Sequence, residues 1–452
     1  MNAVTNAVTN AVATSLEKYQ SLIESQRSLL PGAQWPWLQS QRDQAVQRFL
    51  KSGFPTRKSE AWRYTSVDSL LNKTFIPAAA PDDISTQHAY AELLAETQAQ
   101  RIVFVNGRYS ELLSSLKDLP EGVYIAGLQQ AMAERGDVIQ KILATSPTDD
   151  FHVFNDLNTA LFHDGMVFYV EENVRLQNPI EVIYLASGND DAYVTSPRNL
   201  ICLEKGAVAT LIERYSGEHA GSYFTNGLSD IVLNAGAQLT HYRLQEESLS
   251  AYHISTVFVR HEAHSQYQGN TIVLGGAWSR TDYNVNFHGE HARNQLDGLY
   301  LVKDKQLADI HLNIHHSAPH CSSEQDFRGI LLGTGRGVFD GLINVDKHAQ
   351  KTEAHLHNAN LMLSRSAEVD TKPQLLIYAD DVKCSHGTTV GQLEPEQLFY
   401  LRSRGISESE AKKMLCAGFA QAVLEKCTVD EVRLKAENAL NESLLNAAVT
   451  TI

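Results

Sequence analysis

What this chain lacks narrows its chemistry first. Its 452 residues contain five cysteines, Cys202, Cys321, Cys384, Cys416 and Cys427, odd in number and irregularly spaced. They do not read as a disulfide framework and fit a reducing cytoplasm. Positive charge is scarce: 38 Lys and Arg stand against 53 Asp and Glu, a net charge of −15 with no basic block. Nucleic acid and anionic membrane surfaces are therefore poor partners. No run reaches the roughly 20 apolar residues of a membrane span. No Lys or Arg precedes Lys18, so the Asn-Ala-Val-Thr repeat within residues 1–13 reads as a disordered tail, not as a signal or transit peptide. The phosphate loop G-x-x-x-x-G-K-[ST], the dinucleotide G-x-G-x-x-G and the G-x-S-x-G elbow are also missing. The chain is not expected to hydrolyse ATP or to act as an enzyme.

Helical patterning is present at both ends. Thr14 and Glu17 have capping-box spacing, and Leu16, Tyr19, Leu22 and Ile23 recur on one face until Pro31-Gly32. A second helix follows Trp35-Pro36, with Val46, Phe49 and Leu50 inward and Gly53 at its end. Trp62 and Tyr64 read as core aromatics. Residues 74–150 mix short apolar runs with helical stretches, giving an N-terminal helical and mixed domain over 14–150. After Gly391, Pro395 suits a first helical turn, and Ser407/Glu410 and Thr428/Glu431 have capping-box spacing. The stripe Ala411, Met414, Leu415, Gly418, Phe419, Ala422 and Val423 would pack onto the open end of whatever precedes it, in a C-terminal helical domain over 392–452. Cys416 falls on the same helix as a core residue.

Between about 165 and 390 the texture is different: short β-rich runs such as Val208 to Ile212, Ile231 to Leu233, Thr256 to Val259 and Thr271 to Leu274, broken by Gly, Asn and Asp. Turn-like segments recur at Gly206-Ala207, Gly236-Ala237, Glu262-Ala263 and His291-Ala292, their alanines spaced by 30, 26 and 29 residues. A near-constant period of this size marks a solenoid. A β-sandwich would favour tight hairpins, yet Asn106-Gly107 and Asn226-Gly227 are the only Asn-Gly pairs. The expected fold is mainly β: a parallel β-helix core over 151–391, right-handed by the general crossover rule, flanked by α-helical regions.

The segment Tyr378-Ala-Asp-Asp-Val-Lys-Cys-Ser-His-Gly-Thr-Thr-Val-Gly391 sets a thiol, Cys384, and an imidazole, His386, two residues apart, so on a strand they share a face. Two ligands fall short of the four that a closed zinc site uses, and Asp380 and Asp381 lie just upstream. His357 precedes His386 by 29 residues, near the repeat, and would sit one coil below it. Solvated histidines on a sheet face are an equal reading for His355 and His357. They are the favoured reading for His311, His315, His316 and His320 beside Cys321, where His311 and His315 would share one face and His316 and His320 the other.

The 378–391 string resembles the C-terminal signature of the SufB/SufD family of scaffold subunits in the Suf machinery for iron–sulfur cluster assembly, on its SufD side. So do, in order and spacing, Phe54-Pro-Thr-Arg-Lys-Ser-Glu-Ala-Trp-Arg-Tyr64, Gly335-Arg-Gly-Val-Phe-Asp-Gly-Leu-Ile-Asn-Val345, Ala367-Glu-Val-Asp-Thr-Lys-Pro-Gln374 and Phe399-Tyr-Leu-Arg-Ser-Arg-Gly405. The resemblance spans about 54 to 420. It implies a β-helix, a non-catalytic cytoplasmic scaffold, pairing with SufB, and binding of the ATPase SufC by the C-terminal helices. It further implies that His386, with Cys384 beside it, faces iron or a transient iron–sulfur cluster at the interface. Self-association of the isolated chain and reduced flavin in the complex are further expectations of the resemblance, with no flavin residue assigned. Three rivals stand beside this reading: a SufB-type scaffold, a β-helix polysaccharide-active enzyme using Asp380 and Asp381 as acid and base, and a stand-alone metal binder using His311 to Cys321.

Overall fold

The computed structural model describes residues 15–79, 82–96, 100–117, 119–146, 152–188, 191–217 and 221–449. The sequence repeat is a β-solenoid of about 8 turns. The strands form two sheets, of 11 and 10 strands among the described residues, and from Arg198–Leu203 onward successive strands alternate between them, each pairing in parallel with the strand two places before or after it. Val208 to Ile212 is the start of the strand Val208–Gly217, and Thr256 to Val259 lies inside Ala251–His261. Apolar residues from both sheets, among them Leu211, Ile231, Val257, Phe287, Ile310, Phe327 and Phe339, fill the space between them as one continuous core. No single coil could bury that face alone.

Each coil turns one of its corners through a residue at positive φ: Asn173, Gly206, Gly236, His264, His291, His320 and Lys351, between 58° and 70°. Left-handed backbone is free for glycine and most tolerable in Asn, Asp and His among the rest. The amides of these corners climb the stack, Gly236 N donating to Ala263 O and His264 N to Glu290 O. The imidazoles of His264, His291 and His320 stack with centroids 5.1 and 4.8 Å apart. The corner expected at Glu262-Ala263 is therefore at His264-Ser265. Asn106-Gly107, at φ 51° and 74°, is a tight hairpin turn between antiparallel Gln100–Val105 and Arg108–Tyr109, whereas Asn226-Gly227 runs straight through the strand Tyr223–Leu233.

The N-terminal region covers the outer face of the first sheet. A helix over 15–26 and the helix Pro36–Ser52 bury Tyr19, Leu22, Ile23 and Phe49 with Trp62, Phe154, Phe224, Tyr252 and Trp278. Trp62 is 3% exposed, a core residue as expected, and the Arg280 guanidinium lies 3.9 Å from its ring centroid. Gly53 closes the second helix at φ 61°. Thr14 and the repeat over 1–13 lie outside the described residues. Strands also come from this region: Gln100–Val105 continues the second sheet, and Val123–Gly127 joins the first sheet antiparallel to Met166–Val170.

The C-terminal helices do not cap the open end. Glu408–Leu424 and Asp430–Val449 lie along the outer face of the second sheet, where Cys416, Ala420, Val423, Leu424, Val432 and Ala436 meet Ile272, Leu299, Leu301 and Ile330. That face was already apolar on its outside, so the helices are drawn to the flank. Met414 is left 47% exposed and Gly418 is exposed too. Ser407 accepts from Glu410 N as a cap should, at 3.2 Å, and the Thr428 hydroxyl lies 2.8 Å from Tyr242 Oη, docking the start of the last helix onto the sheet. No helix of the described residues is long and apolar enough to cross a membrane.

One part of the interior is charged. Glu213, with no exposure, takes His241 Nε2 at 2.9 Å and Arg243 Nη2 at 3.5 Å, all three pointing between the sheets. Burial alone would raise the Glu213 carboxyl, but Arg243 and then His241 pull it down to about 2. Its partners come from the next coil, so no local spacing announced it.

Candidate functional site at the open end of the solenoid

The two sheets end on the strands Glu368–Ile377 and Lys383–Gly391. Each pairs with one neighbour only, leaving the outer row of backbone groups of both strands free among the described residues. The two ends are tied together inside the coil by Thr371 Oγ1 and Thr388 Oγ1, 3.0 Å apart, and Thr371 also donates to Asn358 Oδ1 at 3.1 Å. Apolar side chains left uncovered here are Leu376, 45% exposed, and Val390, 48% exposed, with Ile377 and Tyr378 beside them. Sequence reasoning missed them; their signal is that the β-rich texture stops at 391 with no residue run to cover its last strand.

Cys384 sits opposite Ala354 and His386 opposite Leu356 in the strand register. Ala354 and Leu356 are buried in the solenoid interior, so Cys384 and His386 share the inward face of the last coil. With no further coil above, Cys384 is half-buried against the core and His386 is exposed. Burial pushes the Cys384 thiol up from its ordinary value, and a backbone contact from Ala354 offsets part of that. The pair is therefore a thiol and an imidazole at the rim of an unfinished hydrophobic column.

His357 does not join them. It stands opposite Gly387, not His386, because this coil is one residue longer than the 29-residue interval assumed. One residue of register turns a side chain to the other face of a sheet. His357 faces outward with Nδ1 3.0 Å from Asp326 Oδ1, and His355 Nδ1 lies 2.7 Å from Ser385 Oγ on the same side. Asp381 is ion-paired with Lys351 across the preceding corner, an exposed turn that is not arranged as an acid and base pair. The 311–321 group is dispersed: His311 Nε2 lies 2.8 Å from Asp309 Oδ1 and His315 Nε2 3.1 Å from Asp346 Oδ2 on the outside of the first sheet. His316 is interior, 2.9 Å from Ser323 Oγ, and His320 occupies a corner, so the latter two do not share a strand face. Among the described residues no three His, Cys, Asp or Glu side chains are grouped closely enough to hold a metal ion. Cys202, Cys416 and Cys427 are buried, their thiols pushed up to about 12 by burial.

Next to the open end, the helix Pro395–Ser403 buries none of its residues. Phe399 is 74% exposed and Tyr400 56% exposed on it, and Met414 of the following helix is 47% exposed. Solvent-facing aromatics of this size on a helix mark a docking surface more than a stability element.

Two family profiles match adjoining stretches of the chain: SufBD protein N-terminal region over residues 13–182, and SUF system FeS cluster assembly, SufBD core domain over residues 184–419. The chain is 34% identical to the iron–sulfur cluster assembly protein SufD of Escherichia coli, over 85% of this chain and 88% of that protein. It is 33% identical to protein ABCI7, chloroplastic, of Arabidopsis thaliana, over 94% of this chain and 89% of that protein. A SufBD family protein of Synechocystis is 31% identical over 91% and 92%. With both profiles adjoining over residues 13–419 and these relatives matched along most of their length, the chain belongs to the SufBD family of iron–sulfur cluster assembly proteins, and is of the SufD type.

Proposed function

We propose that the chain is a non-catalytic scaffold subunit that pairs with a SufB-type chain through the open end of its solenoid and binds the ATPase SufC through its C-terminal helices. One observation carries this reading: both sheets stop on strands with a free edge, and the only inward-facing thiol and imidazole of the last coil lie in that opening. A free edge is a template for another chain, and uncovered Leu376 and Val390 add apolar area to it. A second solenoid abutting here would complete the hydrophobic column and bring its own donors to Cys384 and His386. Neutral imidazole and thiolate are suitable ligands for iron, and the thiol must lose its proton on binding. Iron or the nascent cluster is cargo at this seam, delivered in part by His386. The exposed Phe399, Tyr400 and Met414 on the C-terminal helices give SufC apolar side chains to dock on.

His386→Ala, co-expressed with the SufB-type and SufC partners, should yield an intact complex whose cluster absorption after anaerobic reconstitution is lost or strongly reduced. Normal absorption in the assembled variant complex removes His386 from the mechanism. Failure of the wild-type chain to co-purify with those partners removes the pairing itself.

A further inference from the structure

A second site is built at the opposite end of the solenoid, where the N-terminal helices meet the first coils. A cavity of about 50 Å³ opens there, with Leu22, Leu30 and Leu161 on one side and Arg108, His163 and Ser196 on the other. The Asn106-Gly107 turn delivers Arg108 to it; a Cβ on Gly107 would come 3.1 Å from Thr195 Cβ, so the turn is pressed against the cavity wall. Arg108 is half-buried, and its Nη1 lies 3.1 Å from His163 Nε2. Arginine only donates, so that ring nitrogen accepts and the imidazole is neutral. Among the described residues Arg108 has no carboxylate within ion-pair distance.

A second uncompensated cation stands behind the first. Arg42 is 4% exposed and donates to the carbonyls of Pro31, at 2.8 Å, and Phe162, at 3.5 Å, neighbours of the cavity residues Leu30, Leu161 and His163. Its Nε has no partner. Burial, then Arg108 and Arg42, lower the His163 pKa to about 4, and no carboxylate counters them. Asp164, the nearest acid in sequence, is engaged by the amides of Tyr109 and Gly165 at 3.0 and 2.9 Å. Two guanidinium charges with a neutral ring and no counter-ion make a strongly positive hollow with apolar walls, where an anion is attracted more than at an open surface.

We propose that this cavity binds a phosphate-type oxyanion, free or as the end group of a larger ligand, clamped by Arg108 with the hydroxyls of Thr195 and Ser196 beside it. Two cations match the charge of about −1.5 to −2 that a phosphate monoester carries better than they match a carboxylate. The fork of Arg108 beyond its histidine contact has donors left for a two-point contact.

Isothermal titration of the full chain with inorganic phosphate, with glycerol phosphate and with butyrate tests this. Saturable binding of phosphate or of the ester is expected, weakened about tenfold or more by Arg108→Gln. Binding of the ester alone identifies a larger ligand. Ser196→Ala, which leaves both arginines in place, should weaken the same binding several-fold and serves if Arg108→Gln does not fold. No saturation by either phosphate compound up to about 20 mM overturns the proposal. Butyrate binding as tightly as phosphate, or affinity unchanged in a folded Arg108→Gln protein, overturns it equally.

Discussion

Glu213 sits where a hydrophobic residue would be expected, between the sheets, and holds Arg243 and His241 in place. Removing it leaves the buried Arg243 without its carboxylate, beside Ser255 Oγ at 3.1 Å, and His241 with Tyr267 Oη at 3.0 Å. Glu213→Leu should therefore destabilise the fold by about 3–5 kcal/mol in a denaturant melt, the usual size for breaking one side of a buried ion pair. Two other interior residues give the fold an acid limit. Burial lowers the His261 pKa to about 4 and the His316 pKa to about 3, and the two rings sandwich Phe287 at 4.9 and 4.2 Å. The unfolded chain protonates both near pH 6.5, whereas the folded chain keeps both neutral until far lower. Their stabilisation is intact above about pH 6.5 and declines as pH falls toward 4 and 3, by about 1.4 kcal/mol per pH unit for each ring. His316→Phe should flatten the stability-versus-pH curve between about pH 6 and 4 relative to wild type; an unchanged slope refutes this account. None of these three roles was legible from residue types, because each depends on which coil lies above and below.

Much of the solenoid was readable, because its spacing and its β-rich texture are properties of consecutive residues. Residue-level register was not. The repeat varies by a few residues between coils, and a one-residue difference placed His357 on the outside instead of under His386. The direction of the C-terminal helices was equally hidden: Ala411 and Val423 of the expected stripe are buried, but the seat that decides between end and flank is the outer face of a distant sheet. The corner ladder yields a direct test. Gly236 has φ 70° and only the Gly206 backbone, at 3.9 Å, near its would-be Cβ, so side-chain volume is not the constraint. Gly236→Val should lower stability by about 1–2 kcal/mol through left-handed strain, measured by chemical denaturation. Gly236→His should cost less than Gly236→Val, since His264, His291 and His320 hold the same backbone.

For the molecule as a whole, the two ends differ in what the chain adds to them: short antiparallel strands at the first, nothing paired at the last among the described residues. Gln100–Val105 and Val123–Gly127 join the first coils, while Glu368–Ile377 and Lys383–Gly391 end in the open. Charge placed on the open edge should block pairing without weakening the fold. Leu376→Lys with Val390→Lys is expected to keep the melting curve within about 0.5 kcal/mol of wild type, both sites being surface positions, and to elute alone in size-exclusion chromatography with the SufB-type partner. Co-elution at wild-type yield would move the interface elsewhere. The Cys384 and His386 pair was visible as a motif, but its meaning comes from this asymmetry: the same spacing one coil earlier would be sealed in the core.

The clasp between Trp62 and Arg280 also carries a consequence for synthesis. Ala61 O accepts from Arg280 at 2.9 Å, and Thr65 donates to Asp309 at 2.6 Å, so the segment made early rests on strands made more than two hundred residues later. At a ribosomal rate of about 5–20 residues per second, its indole waits on the order of 10–40 s for a seat. During that interval the nascent chain carries an uncovered aromatic segment, and it is seated only once the later coils have emerged.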